Sequence, residues 1–116
     1  MATYSKVLLS GSTNGKGVLV SAATSGTAIT IHTAVAGTSS IDLITLWASN
    51  TSTAAVELSV EWGEATASKT IKQSIPAKSG QFPIVENLPL QNGLAVTAFA
   101  ATSNVLTVFG SVSRVV

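Results

Sequence analysis

One histidine, one aspartate and sixteen serines are the residues from which a nucleophilic site might be assembled here. A Ser-His-Asp relay needs a hydroxyl, an imidazole to take its proton and a carboxylate to orient the ring. His32 and Asp42 are the only residues of their kinds. No Gly-x-Ser-x-Gly elbow accompanies them, and nothing in the sequence brings them together. His32 alternates with Ile31 and its neighbours in a strand-like run, so it is expected as a surface or interface side chain. No catalytic residue is expected, and neither His32 nor Asp42 is expected to carry function.

Other candidate chemistry is equally thin. The segment GSTNGKG (residues 11–17) superficially resembles a phosphate loop. It has three residues rather than four between the first two glycines, no Ser or Thr after Lys16, and a strand-like run downstream. A phosphate cradle needs the helix N-terminus and that hydroxyl, so Asn14–Gly15 reads as a turn. Glu57 and Glu61 share one side of a strand about 13 Å apart. That is too far for one metal ion and wide for an acid/base pair, so both are expected on a solvated face. Glu64 lacks the dense oxygen ligands that calcium requires. Asn50-Thr51-Ser52 matches a glycosylation sequon. No cofactor or metal is expected.

The elements that would have to position such residues are strands. In VELSVEWGE, Val56, Leu58, Val60 and Trp62 alternate with Glu57, Ser59 and Glu61, the period of a half-buried strand. Similar runs occur at 5–10, 16–22, 27–34, 41–50, 70–75, 81–88, 93–101 and 105–115. Pro76 closes one, and Pro83 marks another as an edge strand. Eight or nine short antiparallel strands with turn residues between them predict an all-β sandwich or jelly roll with no substantial helix. The 116 residues make one domain, 1–116, with residues 1–6 as an N-terminal arm.

Composition points the same way. Charged residues are 9% and hydrophobic residues 46%, with 16 Ser, 15 Thr and 16 Ala. A typical domain carries about 25% charged residues, so this exterior is built largely from hydroxyls, Ala and backbone, and much of it is expected to be interface. A net charge of +1 gives no basic excess for nucleic acid. There is no cysteine. The uncharged 21-residue tract at 92–112 is rich in Ser, Thr and Asn and does not read as a membrane helix. It reads as two strands and their turn, covered on one face by the core and on the other by a neighbour. The N-terminus lacks a charged segment followed by a sustained apolar one, so a non-exported protein is expected. Trp47, Trp62, Phe99 and Phe109 are the candidate packing or interface aromatics. Trp47 and Trp62, on successive antiparallel strands, are expected to pack together, or else to form a carbohydrate platform.

The C-terminal stretch carries Leu90, Gly93, Leu94, Val96, Ala98, Asn104, Val105, Gly110, Val112 and Arg114 in a recognisable order. With YSKVLLSGSTNGKGVLVSA and TIHTAVAGTSSIDLITLWASNTS, it resembles the small structural proteins encoded near the head genes of tailed bacteriophages. The resemblance implies a non-enzymatic capsid decoration (cement) protein: a β-sandwich oligomer, trimer before dimer, made in the bacterial cytoplasm and seated on the virion's outer shell. The implied partner is the major capsid protein, with neither nucleic acid nor membrane engaged. A tail, neck or fibre component and a carbohydrate-binding module are the alternatives. The terminal residues Ala2, Thr3, Tyr4, Ser5 and Lys6 precede the first strand-like run. They form a candidate capsid-contact arm in which Tyr4 either anchors to the shell or packs beneath its own domain.

Overall fold

The computed structural model describes residues 3–116. Among these residues nine strands form two antiparallel sheets. They are β1 (Tyr4–Val7), β2 (Val18–Leu19), β3 (Ile29–Thr33), β4 (Ile41–Asn50), β5 (Val56–Trp62), β6 (Ile71–Ile75), β7 (Phe82–Leu90), β8 (Ala95–Ala100) and β9 (Leu106–Val115). The only helical pieces among the described residues are two 3₁₀ turns, Ser25–Thr27 and Ala67–Lys69. Among the described residues no helix is long and apolar enough to cross a membrane.

The first sheet runs β1-β9-β4-β7, with β2 beside β9, and the second runs β3-β8-β5-β6. With β1 and β2 counted as one interrupted strand, this is the eight-strand jelly-roll order. Only β5 and β6 are consecutive strands that pair with each other. The other connections between successive strands from β2 onward cross from one sheet to the other. The tract at 92–112 is therefore no hairpin: β8 and β9 lie in opposite sheets. Each is an interior strand, β8 between β3 and β5, β9 between β4 and the β1/β2 edge. Interior strands have no open edge to guard, so the tract's lack of charge is tolerated.

Period-2 alternation sets the core. Ile44, Leu46 and Ala48 of β4 are fully buried, as are Val108 and Val112 of β9, Leu58 and Val60 of β5, and Val96 and Ala98 of β8. These side chains fill the space between the sheets, which stack about 10 Å apart. β4 and β9 pair over ten residues, Ile41 opposite Val115 through Asn50 opposite Leu106. At the centre of that pairing Gly110 leaves no room for a side chain, because a Cβ there would meet the Thr45 carbonyl oxygen and the Leu46 side chain. The edge strand β7 carries Pro83 and Pro89, which cannot donate to an added strand.

The Asn14–Gly15 turn does not close a hairpin. β1 and β2 lie along the same side of β9, and the chain between them leaves the first sheet altogether. It crosses to the edge of β3, where the Gly11 amide donates to the Ile31 carbonyl (2.9 Å). Leu9 is inserted into the core with 2% of its surface exposed. A Cβ on Gly11 would strike the Thr30 and Ile31 carbonyls, so the docking requires glycine.

Candidate functional site

The chemically richest place in the fold is one that the sequence does not announce. His32 comes from the edge of the second sheet, Asp42 from the start of β4 and Arg114 from the end of β9, directly opposite Asp42 in register. His32 and Asp42 are buried, correcting the expectation of a surface or interface histidine. A register shift between Thr30 and His32 lets consecutive residues Ile31 and His32 both be buried.

Asp42 accepts four hydrogen bonds. His32 Nε2 donates to Oδ2 (2.8 Å), the Val35 amide to Oδ2 (3.0 Å), Arg114 Nε to Oδ1 (2.7 Å) and Arg114 Nη2 to Oδ2 (3.0 Å). The other imidazole nitrogen, Nδ1, accepts from the Ser10 amide (2.9 Å). An N–H pointing at Nδ1 fixes that nitrogen as the acceptor and Nε2 as the proton carrier. Burial by itself would raise the Asp42 pKa. The hydrogen bonds from Arg114 and His32, the Arg114 charge and the Val35 amide outweigh it and hold the carboxyl below its ordinary value. Hydrogen bonding to Asp42 raises the Arg114 pKa against the opposing effect of burial.

The His-Asp half of a relay is thus present, but its bonding is that of a structural clamp. A relay histidine must offer its second nitrogen to a hydroxyl. Here that lone pair already holds the Ser10 amide, and the Ser10 hydroxyl accepts from the Thr33 amide (2.7 Å). The clamp joins the first sheet, the second sheet and the 8–17 excursion. Strand phase was the available signal: Asp42 has the parity of the inward Ile44 and Leu46, and Arg114 that of Val112. What the sequence lacks is the pairing of β4 with β9.

The other candidates are dispersed. Glu57 is exposed and lies 3.8 Å from Lys72. Glu61 departs from the expected solvated face: it is 4% exposed, covered by the Ser25–Thr27 turn, and accepts from the Ser25 and Thr97 hydroxyls. Glu64 accepts from the Thr66 hydroxyl (2.7 Å) and faces Lys69 at 3.6 Å. Asn50 is 1% exposed and donates its side-chain amide to the Ala54 and Ile75 carbonyls, so the sequon is closed in the folded chain. Among the described residues no group of three or more His, Asp or Glu is placed to hold a metal ion. A shallow cleft of about 420 Å³ opens at one end of the sandwich, with Ile41, Leu90 and Leu94 in its lining.

The aromatics do not form one cluster. Trp47 and Trp62 are on successive strands, but those strands lie in opposite sheets, so the expected Trp–Trp packing does not occur. Trp62 instead ties the sheets together, its indole N–H donating to the Pro89 carbonyl (3.1 Å). Trp47 stands opposite Phe109 on the outward face of the first sheet, with Pro83 on its other side. Phe99 is on the outward face of the second sheet, opposite Ser59.

Of the proposed arm, Ala2 lies outside the described residues. Tyr4, Ser5 and Lys6 do not precede the first strand but belong to it, because β9 extends to Val115 and offers them a ladder. Thr3 exchanges both backbone hydrogen bonds with Val116 (2.9 Å each). Tyr4 is 70% exposed, so it does not pack beneath its own domain.

The outward faces of the two sheets differ in their exposed apolar side chains. On the first, the outward positions of β1, β2, β4 and β9 are Tyr4, Lys6, Leu19, Ile41, Leu43, Thr45, Trp47, Ser49, Thr107, Phe109, Ser111, Ser113 and Val115. Lys6 is the one charge among these outward positions, its ammonium donating to the Ser113 hydroxyl (3.1 Å), and the edge strand β7 of the same sheet adds the exposed Glu86. Tyr4, Leu19, Ile41 and Phe109, four of the large exposed apolar side chains, are on this face. The second sheet's outward face carries Phe99 and the exposed Glu57 and Lys72 among Ser and Thr, with Glu61 buried beneath the Ser25–Thr27 turn. No protein-family profile, curated protein or solved structure matches this chain.

Proposed function

We propose that this chain is a non-enzymatic structural protein of a bacteriophage virion, a decoration (cement) protein that seats on the outer shell against the major capsid protein. The observation that carries the reading is the outward face of the first sheet, where Tyr4, Leu19, Ile41 and Phe109 stand exposed, whereas among the described residues none of the large exposed apolar side chains lies on a strand of the second sheet. Contiguous exposed apolar surface on a small domain marks an interaction site. The molecule measures 48 × 27 × 20 Å, so a broad side is comparable with the ~800 Å² per partner of a stable protein interface. The jelly-roll order adds support by analogy, since viral capsid domains use it, as lectins and cupins do. The chain would work by burying this face across subunit boundaries as a trimer, or second as a dimer. Small gains per copy multiply over a lattice. Tyr4, at the sheet's margin, supplies a rigid anchor at the rim.

Binding of the purified chain to shells stripped of it tests the reading. Leu19→Glu with Phe109→Glu, both at exposed positions, should weaken binding by at least about tenfold, or 1.4 kcal/mol, with an unchanged thermal midpoint. Undiminished binding of the double variant would move the contact to another face. Virions should contain hundreds of copies; a handful would favour the tail, neck or fibre reading. Trp47 beside Phe109, flanked by Thr45, Ser49 and Ser111, also has the form of a stacking platform for a sugar ring. Binding on a glycan array that Trp47→Ala abolishes would favour a carbohydrate-binding module.

A further inference from the structure

The chain contains two Asn-Gly pairs, Asn14–Gly15 and Asn92–Gly93, and all four residues have positive φ (54°, 83°, 65° and 69°). Both asparagines and both glycines are exposed. Asn-Gly is the dipeptide in which the following backbone nitrogen is least hindered for attack on the asparagine side chain, because glycine has no Cβ.

The two turns differ in what holds them. At 92–93, the Asn92 amide donates to the Gly37 carbonyl (2.9 Å), the Gly93 amide to the Val35 carbonyl (3.0 Å) and the Leu94 amide to the Gln91 carbonyl (3.3 Å). The nitrogen that would attack is thereby engaged, and the turn is tied to the 35–37 segment. At 14–15 a single backbone hydrogen bond closes the turn, from the Lys16 amide to the Thr13 carbonyl (3.0 Å). The Gly15 amide has no acceptor among the described residues. Attack requires the asparagine backbone to leave its left-handed well and the glycine amide to lose its proton. Opening the 14–15 turn breaks one hydrogen bond, and opening the other breaks three.

We propose that Asn14 is a site of spontaneous covalent modification, by imide formation and hydrolysis, and that the fold protects Asn92 from the same reaction. Hydroxide removes the Gly15 amide proton, and the nitrogen attacks Asn14 Cγ. The Gly15 N–Cγ bond forms, the Cγ–Nδ2 bond breaks, and Nδ2 takes a proton from water and departs as ammonia. A water molecule then adds to one of the two imide carbonyls and opens the ring. One opening leaves aspartate; the other leaves isoaspartate, with an extra methylene in the backbone. No oxidant or enzyme is needed. The product adds a sixth acidic group to five, against six basic ones, so the net charge falls from +1 to 0. The new carboxylate stands at the rim of the first sheet's outward face, because a Cβ on Gly15 would touch Leu8 and one on the nearby Gly17 would strike Thr107 and Phe109 of β9.

The test is peptide mapping by mass spectrometry of the full chain aged in mildly alkaline buffer, in parallel with the same chain aged in urea. Isoaspartate is scored by enzymatic methylation. In the folded chain Asn14 should convert at least about tenfold faster than Asn92, a difference of 1.4 kcal/mol. In urea the two rates should converge, since the protection belongs to the fold and not to the dipeptide. Asn14→Gln should remove most of the ammonia that the folded chain releases. Equal rates in the folded chain, a faster Asn92, a ratio unchanged by urea, or ammonia release unaffected by Asn14→Gln would each overturn the proposal.

Discussion

Asp42 receives four donors and is wholly buried, so its charge is an obligation that the surrounding groups must meet. Removing the charge strands the Arg114 guanidinium, about a quarter of which is exposed. Asp42→Asn should therefore destabilise the fold by about 3 kcal/mol, read as a lower urea midpoint. The acid limb gives an independent signature. A carboxyl whose native pKa is depressed contributes its full stability above the ordinary value of 3.8, and loses it as the pH falls from there through the lowered native value. The wild-type urea midpoint should decline through that window, and the Asp42→Asn decline should be shallower. Equal slopes would place the acid sensitivity on other carboxylates. The clamp also shows the limit of reading residue types: a lone His and a lone Asp carry no pairing information. Their side chains meet because the short 34–40 connection carries the chain from the end of β3 to the start of β4 in the other sheet, and Arg114 falls opposite Asp42 in the β4–β9 ladder.

At the scale of elements, strand positions and phases were legible because period-2 alternation is a local property. The run at 41–50 is β4 residue for residue, and those at 56–64 and 105–115 are nearly as close to β5 and β9. Sheet membership was not legible. In a jelly roll most successive strands lie in opposite sheets, so neighbours in sequence are not neighbours in a ladder. That is why the expected Trp47–Trp62 packing does not occur. The burial of Glu61 was hidden for a related reason, since a 3₁₀ turn distant in sequence covers it. Gly110 illustrates a signal that is present but ambiguous, because glycine within a strand can mark a bulge or a close backbone approach. Here it is close approach, to Thr45 of β4. Gly110→Ala should lower stability by about 1–3 kcal/mol through overpacking, with the far-ultraviolet circular dichroism retained. A neutral effect would mean that β9 shifts to admit the methyl group.

At the scale of the whole molecule, the sandwich closes its core alone, with an accessible surface of 5999 Å², close to the roughly 5,900 Å² expected of a folded monomer of this mass. Assembly is therefore not needed to complete the interior, and substitutions on the first sheet's outward face can be judged by association without loss of folding. The pair of hydrogen bonds between Thr3 and Val116 has a mechanical consequence. The two residues lie side by side on adjacent antiparallel strands, so tension applied between them loads the β1–β9 ladder at its end. Under such a load the rungs break one after another, as a zip opens, rather than together in shear. A single-molecule pull on these two residues should open β1 at low force. The next resistance would come where the 8–17 excursion hooks onto β3 and where Leu9 must leave the core. Attaching the handles instead at Asn50 and Val115, on opposite ends of the β4–β9 ladder, would load ten rungs in parallel and raise the force. Comparable forces in the two geometries would show that the ladder is not what bears the load.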